Sequence, residues 1–206
     1  MEDLKITIST SNSKLGNSIP SFNLPPIITC RKDAPCKKMC YACKGNFLFK
    51  NVKLSGLNNL QAFFKDREKT KKYILSFLNN KLVEYKYFRW FSSGDIVNKD
   101  FLQMMVEIAN ETKRTKFLCF TKQFEIVNDY LKNNTLPKNL IIVYSHWDKS
   151  FKVDNPYNMP TSHIAFRDAT LNEEIPTKAI KCKNDCAKCL RCWNLKNGES
   201  VYFNQH

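Results

Sequence analysis

Glycine is scarce in this chain, and its scarcity argues against whole classes of site. Only five occur in 206 residues, and none is placed as a Walker-type phosphate loop requires. No Gly-x-Ser-x-Gly elbow is present to expose a serine nucleophile, so α/β-hydrolase chemistry is a poor reading too. Long apolar runs are also missing, and nothing approaches the roughly 20 residues of a membrane-spanning helix. Met1–Thr10 carries acidic residues and no apolar run, unlike a secretory signal. Together these absences lead us to expect a cytoplasmic protein with no membrane partner. Acidic residues are outnumbered, 19 against 33 Lys and Arg, for a formal net charge of +14. That balance suits binding to nucleic acid or another polyanion, and it equally suits a solvated basic surface.

Cysteine is abundant. Nine cysteines in a reducing compartment call for an explanation other than disulfides. Eight fall into two groups: Cys30, Cys36, Cys40 and Cys43, then Cys182, Cys186, Cys189 and Cys192. Gaps of two or three residues let successive thiolates curl around one ion or one cluster. Cys119 stands apart in an apolar run and reads as a small core residue. The spacing Cys36-x3-Cys40-x2-Cys43 resembles that of radical S-adenosylmethionine enzymes. In those, three thiolates hold a four-iron (4Fe-4S) cluster and leave one iron open. Here Ala42, not an aromatic, precedes the third cysteine, and Tyr41 lies one place earlier. Cys30 offers a fourth thiolate; if all four ligate, the site is closed and structural or electron-transferring. The C-terminal group has the gaps of a bacterial ferredoxin run in reversed order. Zinc in a four-cysteine knuckle is the alternative there.

With 43% hydrophobic and 13% aromatic residues, the chain has enough apolar mass for a real core. Strands are expected at Pro26–Thr29, Tyr87–Phe91, Lys116–Phe120, Leu140–Tyr144 and His163–Phe166, with a short closing strand near the end. Helices are expected over Leu57–Lys65, Lys69–Tyr85, Lys99–Asn110 and Phe124–Lys132, and a loop over Asp148–Thr161. In the third helix Phe101, Leu102, Met105, Ile108 and Ala109 share one face. Alternating strands and helices imply parallel βαβ units. The fold class expected is α/β, a partial or small (β/α) barrel over residues 1–174, with a cysteine-rich tail over 175–206. Ligands of such folds gather at the C-terminal ends of the strands. There the chain places Ser93, Gly94 and Asp95, then Lys122, His146 and Arg167.

The stretch Ser11–Pro26, the cysteines from Cys30 to Cys40, Phe91–Ile96, Phe120–Lys122, and the terminal Cys-Trp and Phe-Asn-Gln-His elements together resemble the phage "gene product eighty-eight" family of mobile elements. That family has no established activity and looks similar to radical S-adenosylmethionine barrels. The resemblance implies Cys30, Cys36 and Cys40 as the family's cysteines, with Cys43 an addition. It implies a host-cell cytoplasm, a bound iron–sulfur cluster, S-adenosylmethionine as cofactor and an external electron donor. Ser93, Gly94, Asp95 and Lys122 would then bind the cofactor. The plainer alternative makes Asp95 a turn residue or helix cap. His146 and His163 read as core or rim histidines, and His206 as a chain end. Tyr41 and Trp193 adjoin cysteines and would shield sulfur from solvent.

Overall fold

The computed structural model describes residues 5–205, and His206 lies outside them. Eight strands form one sheet. In chain order they are β1 (Ile8–Ser9), β2 (Ser21–Phe22), β3 (Tyr87–Trp90), β4 (Lys116–Thr121), β5 (Leu140–Ser145), β6 (Thr161–Ala165), β7 (Ile180–Lys181) and β8 (Ser200–Asn204). Across the sheet the order is β1-β2-β3-β4-β5-β6-β8-β7. Only β1 and β2 run antiparallel; every other neighbouring pair is parallel. The α/β class is therefore as expected. Among the described residues no pairing joins the two edge strands, β1 and β7.

Five α-helices accompany the strands: α1 (Lys50–Lys65), α2 (Arg67–Leu78), α3 (Lys99–Glu111), α4 (Phe124–Leu131) and the single turn α5 (Cys186–Cys189). The starts of α2 and α3 follow capping chemistry. Asp66 accepts from the Lys69 amide at 2.8 Å, and Asn98 accepts from the Phe101 amide at 2.9 Å. The apolar face read for α3 is buried in full, with Met104 and Val106 joining it. Glu107 on α3 takes hydrogen bonds from Arg67 and Lys71 on α2. Partial burial works against its ionisation, but those bonds prevail and hold its carboxyl down to about 2.

Both faces of the sheet are covered, which explains why its central strands are nearly continuous apolar runs. One face packs Phe88, Trp90, Phe117, Cys119, Ile142 and Tyr144 in the same core as residues of α1 to α4. The other presents Leu118, Val143 and Val201 to Leu15, Ile19, Trp193 and Leu195. The C-terminal segment is thus no appendage. Its β8 pairs with β6 inside the sheet, and its Trp193 is 1% exposed in the second core.

Some expected elements shift. Pro26–Thr29 is a turn, not a strand, and the parallel strand there is β2. Pro25 and Pro26 lack the amide protons a ladder needs, and the chain reverses through Ile27 at φ +67°. The helix expected to run to Tyr85 stops at Leu78, where Asn79 caps it and Asn80 turns the chain by accepting from Leu82 at 2.9 Å. Conversely, α1 begins at Lys50, seven residues before the expected Leu57, with no side-chain cap to announce it. Among the described residues, no helix is long and apolar enough to cross a membrane.

Candidate metal centres

The first cysteine group follows directly from the turn after β2. Three short 3-10 segments, Pro35–Met39, Tyr41–Cys43 and Gly45–Leu48, bring Cys36 and Cys40 near Cys30 and leave Cys43 beside Cys40. Contacts tie this loop to the C-terminal ends of the central strands. The Tyr41 hydroxyl donates to the Ser92 carbonyl just past β3 at 2.6 Å. The Arg31 guanidinium pairs with Glu125 in the first turn of α4 and lies 4.5 Å from the centre of the Phe124 ring. Burial pushes the Cys30 thiol up to about 11, with further upward pressure from Asp95, Cys36 and Cys40. Burial also raises Cys40, whose other neighbours are Cys43 and Cys36. Cys30, Cys36 and Cys40 are half-buried, while Cys43 is exposed. Thiols held neutral in this way must give up protons when they take a metal.

Ser93, Gly94 and Asp95 stand beside that group, but their polar groups are already engaged. The Ser93 hydroxyl donates to the Leu24 carbonyl at 2.9 Å. Gly94 has φ +84°, and a Cβ there would meet Leu24 Cβ at 2.7 Å and Leu24 O at 2.8 Å. Asp95 is 6% exposed. Its carboxylate accepts from Thr121 Oγ1 at 2.6 Å, the Ile96 amide at 2.8 Å and the Lys122 amide at 2.9 Å. Burial still raises it to about 6 despite those bonds. The segment therefore braces the ends of β3 and β4 against the loop that leads to Cys30. Lys122 lies with its ammonium 5.4 Å from the Trp147 ring centre.

The second cysteine group lies against the face of the sheet opposite the helices. Cys182 follows β7, its amide bonded to Tyr202 O at 2.9 Å, and the Cys186 amide reaches back to Lys14 O at 3.0 Å. Asp185 caps α5, and Leu190 at φ +51° turns the chain toward Cys192 and Trp193. The Trp193 indole donates to Phe88 O at 3.0 Å, which anchors the group to β3. All four sulfur-bearing residues line one cavity of about 20 Å³. Burial raises Cys186 and pushes Cys192 up to about 12, and Arg89 opposes both shifts. Arg89 comes from β3, donates to Trp90 O and Phe91 O, and stacks 4.3 Å from the Phe120 ring centre.

Sulfur spacing bears on the kind of metal. Four thiolates around one zinc at 2.3 Å stand about 3.8 Å apart. Among the described residues, the group of three metal-ligating side chains whose donor atoms lie within 4.8 Å of one another is His146, His163 and Glu173, with no cysteine. A cluster gives each thiolate its own iron and tolerates a wider spread. Cys119, fully buried on β4, belongs to the helix-side core.

The remaining strand-end residues divide. Arg167 is exposed. His146 and His163, read from the sequence as core or rim side chains, converge on Glu173. His146 Nδ1 is 2.9 Å from Glu173 Oε1, and His163 Nδ1 bonds the same oxygen. Both bonds outweigh burial and hold the Glu173 carboxyl down to about 2. Glu173 sits in an irregular segment and carried no sequence signal. Arg89 was legible only as the polar residue of an otherwise aromatic strand.

No curated protein and no solved structure gives a match to this chain. The family described as Gene product 88 matches over residues 2–195, a span that includes every cysteine of both groups. This chain belongs to the Gene product 88 family.

Proposed function

We propose that the protein is an iron–sulfur protein whose N-terminal group binds a four-iron cluster through Cys30, Cys36 and Cys40. The observation that carries this reading is the clustering of three half-buried thiols beside the C-terminal ends of β3 and β4. Cys43, exposed and beside Cys40, is left out of the ligand set. A cluster held by three thiolates supplies an open iron for one-electron chemistry, including reductive cleavage of S-adenosylmethionine. A partial (β/α) barrel similar to radical S-adenosylmethionine enzymes fits the parallel order of β2 to β6. Within that reading Lys122 is the residue free to meet a cofactor carboxylate, because Ser93, Gly94 and Asp95 are occupied in bracing the loop. A reducing cytoplasm with an external electron donor suits nine free cysteines.

The tail group takes either a second cluster or zinc. Its small cavity favours a single ion, whereas the gaps of three, two and two residues between its cysteines favour a cluster. Protein prepared anaerobically with iron and sulfide supplied is expected to be brown and to carry iron with acid-labile sulfide. Colourless protein holding zinc alone would overturn the cluster reading and leave two zinc sites.

A second reading, binding to nucleic acid, draws on the surface around the first group. Lys32, Lys38, Lys44, Lys50 and Lys53 are exposed there, interleaved with exposed Met39, Tyr41, Leu48 and Phe49. Cations beside aromatic faces suit phosphates and unstacked bases. If this surface binds nucleic acid, affinity for mixed-sequence DNA or RNA falls steeply between low and moderate salt. Replacing Lys37, Lys38 and Lys44 with Gln then reduces both the affinity and its salt slope. Weak binding, unchanged in that variant, would remove this reading.

A further inference from the structure

Both proposed centres rest on cysteine, yet the described residues hold a third group of metal-ligating side chains with none. His146 stands immediately after β5, His163 lies within β6, and Glu173 follows the short 3-10 turn Ala169–Leu171. Because β5 and β6 are parallel neighbours, the two imidazoles come side by side, with ring centroids 4.4 Å apart. The His146 amide donates to Ser162 O at 2.8 Å, which extends the ladder and fixes where its side chain begins. The three side chains are from 5% to 19% exposed.

We propose that His146, His163 and Glu173 form a site for one divalent first-row transition cation, zinc or ferrous iron, separate from the cysteine centres. The donor geometry is already compact. Metal–nitrogen and metal–oxygen bonds of about 2.1 Å place neighbouring donor atoms about 3.0–3.4 Å apart. Here His146 Nδ1 lies 2.9 Å from one carboxylate oxygen and 3.1 Å from the other. All three donor atoms lie within 4.8 Å of one another.

Tautomer chemistry also fits. Ligation through Nδ1 requires the imidazole proton to reside on Nε2. For His163 that nitrogen lies 3.0 Å from Thr161 Oγ1, which can accept it. Thr161 Oγ1 lies in turn 2.8 Å from Ser200 Oγ on β8, a partner for its own proton. A hydroxyl relay of this kind orients a ligating histidine and sets which nitrogen faces the metal.

Two nitrogens and one carboxylate suit imidazole-loving cations, not the soft thiolate partners of the cysteine groups. Three protein donors also leave at least one coordination position for water or a small oxygen ligand. The site lies at the C-terminal ends of β5 and β6, on the strand edge where parallel α/β sheets bind their ligands.

The test is a Co²⁺ titration of the full chain, prepared anaerobically with its cysteine sites already loaded. Cobalt on nitrogen and oxygen gives weak visible d–d bands without the strong sulfur-to-cobalt charge-transfer absorption of a thiolate site. We expect one equivalent to bind with that signature. In His146→Gln and in Glu173→Gln, affinity should fall by roughly 100-fold or more, since loss of even outer-sphere partners costs 10- to 100-fold. A measurement on the parent needs no variant: Co²⁺ should shift the ring-proton NMR signals of His146 and His163 through its unpaired electrons. Uptake showing only thiolate charge transfer, or unshifted His146 and His163 signals at saturating Co²⁺, would overturn the proposal. Unchanged affinity in both folded variants would overturn it as well.

Discussion

Serine at Cys30, Cys36 or Cys40 is expected to strip the N-terminal site of its iron, whereas Cys43→Ser is expected to leave it loaded. The sequence offered four thiols and three readings: Cys36, Cys40 and Cys43 by their spacing, Cys30, Cys36 and Cys40 by the family resemblance, or all four in a closed site. Burial and proximity separate them. Cys30 is half-buried within electrostatic reach of Cys36, Cys40 and Asp95. Cys43 is exposed, and Cys40 is the cysteine it adjoins. A ligand replaced by a hydroxyl loses the thiolate that an iron requires, and with it the cluster. Iron and labile sulfide per chain, read with the visible absorption of each variant, check the assignment. A metal held by the tail would provide an internal control, since Cys182, Cys186 and Cys192 pack against the second core, on the face of the sheet away from α1 to α4. Iron lost in Cys43→Ser and retained in Cys30→Ser would reverse the ligand set.

What could be read in advance depended on whether a signal was local. The three central strands β3, β4 and β5 announced themselves as apolar runs, and α3 did so through its helical face. Strands β1, β2 and β7 span two residues each, too short for any periodicity to show. Their pairing is decided by where the rest of the sheet places them. The two cysteine groups were legible because metal ligands cluster in sequence. The His146–His163–Glu173 group was not, because its members come from two strands and a loop and meet only when β5 and β6 pair. Ser93, Gly94 and Asp95 were correctly placed at a strand end, yet sequence could not tell a bracing turn from an open binding element. Only the position of Leu24 and Thr29 beside them decides that.

That brace sets up the second large effect. Gly94→Ala is expected to destabilise the fold by on the order of 3 kcal/mol, from backbone strain at positive φ and from overpacking. The backbone at Gly94 sits at φ +84°, a region that a side chain makes costly. An added methyl would also press on the Leu24 carbonyl at 2.8 Å and Thr29 Oγ1 at 2.8 Å. Neither neighbour yields cheaply, because Leu24 bonds Ser93 through both its amide and its carbonyl, and Thr29 Oγ1 holds the Pro25 carbonyl. Relief would have to come from moving the loop that delivers Cys30, so stability and metal loading should fall together. For a chain of this length the expected loss corresponds to a fall in melting temperature of roughly 6–12 °C. Asp95→Asn tests the same brace from the other side. An amide supplies one acceptor oxygen where the carboxylate offers two, so an amide NH₂ would face either the Ile96 or the Lys122 backbone N–H. Leaving a buried donor unsatisfied costs about 1–3 kcal/mol, a smaller but measurable loss in the same melt. Thermal unfolding of metal-free protein is the deciding measurement, because it removes any contribution from bound metal or cofactor. If metal-free Gly94→Ala melts with the parent while the loaded forms differ, Gly94 serves a ligand and not the brace.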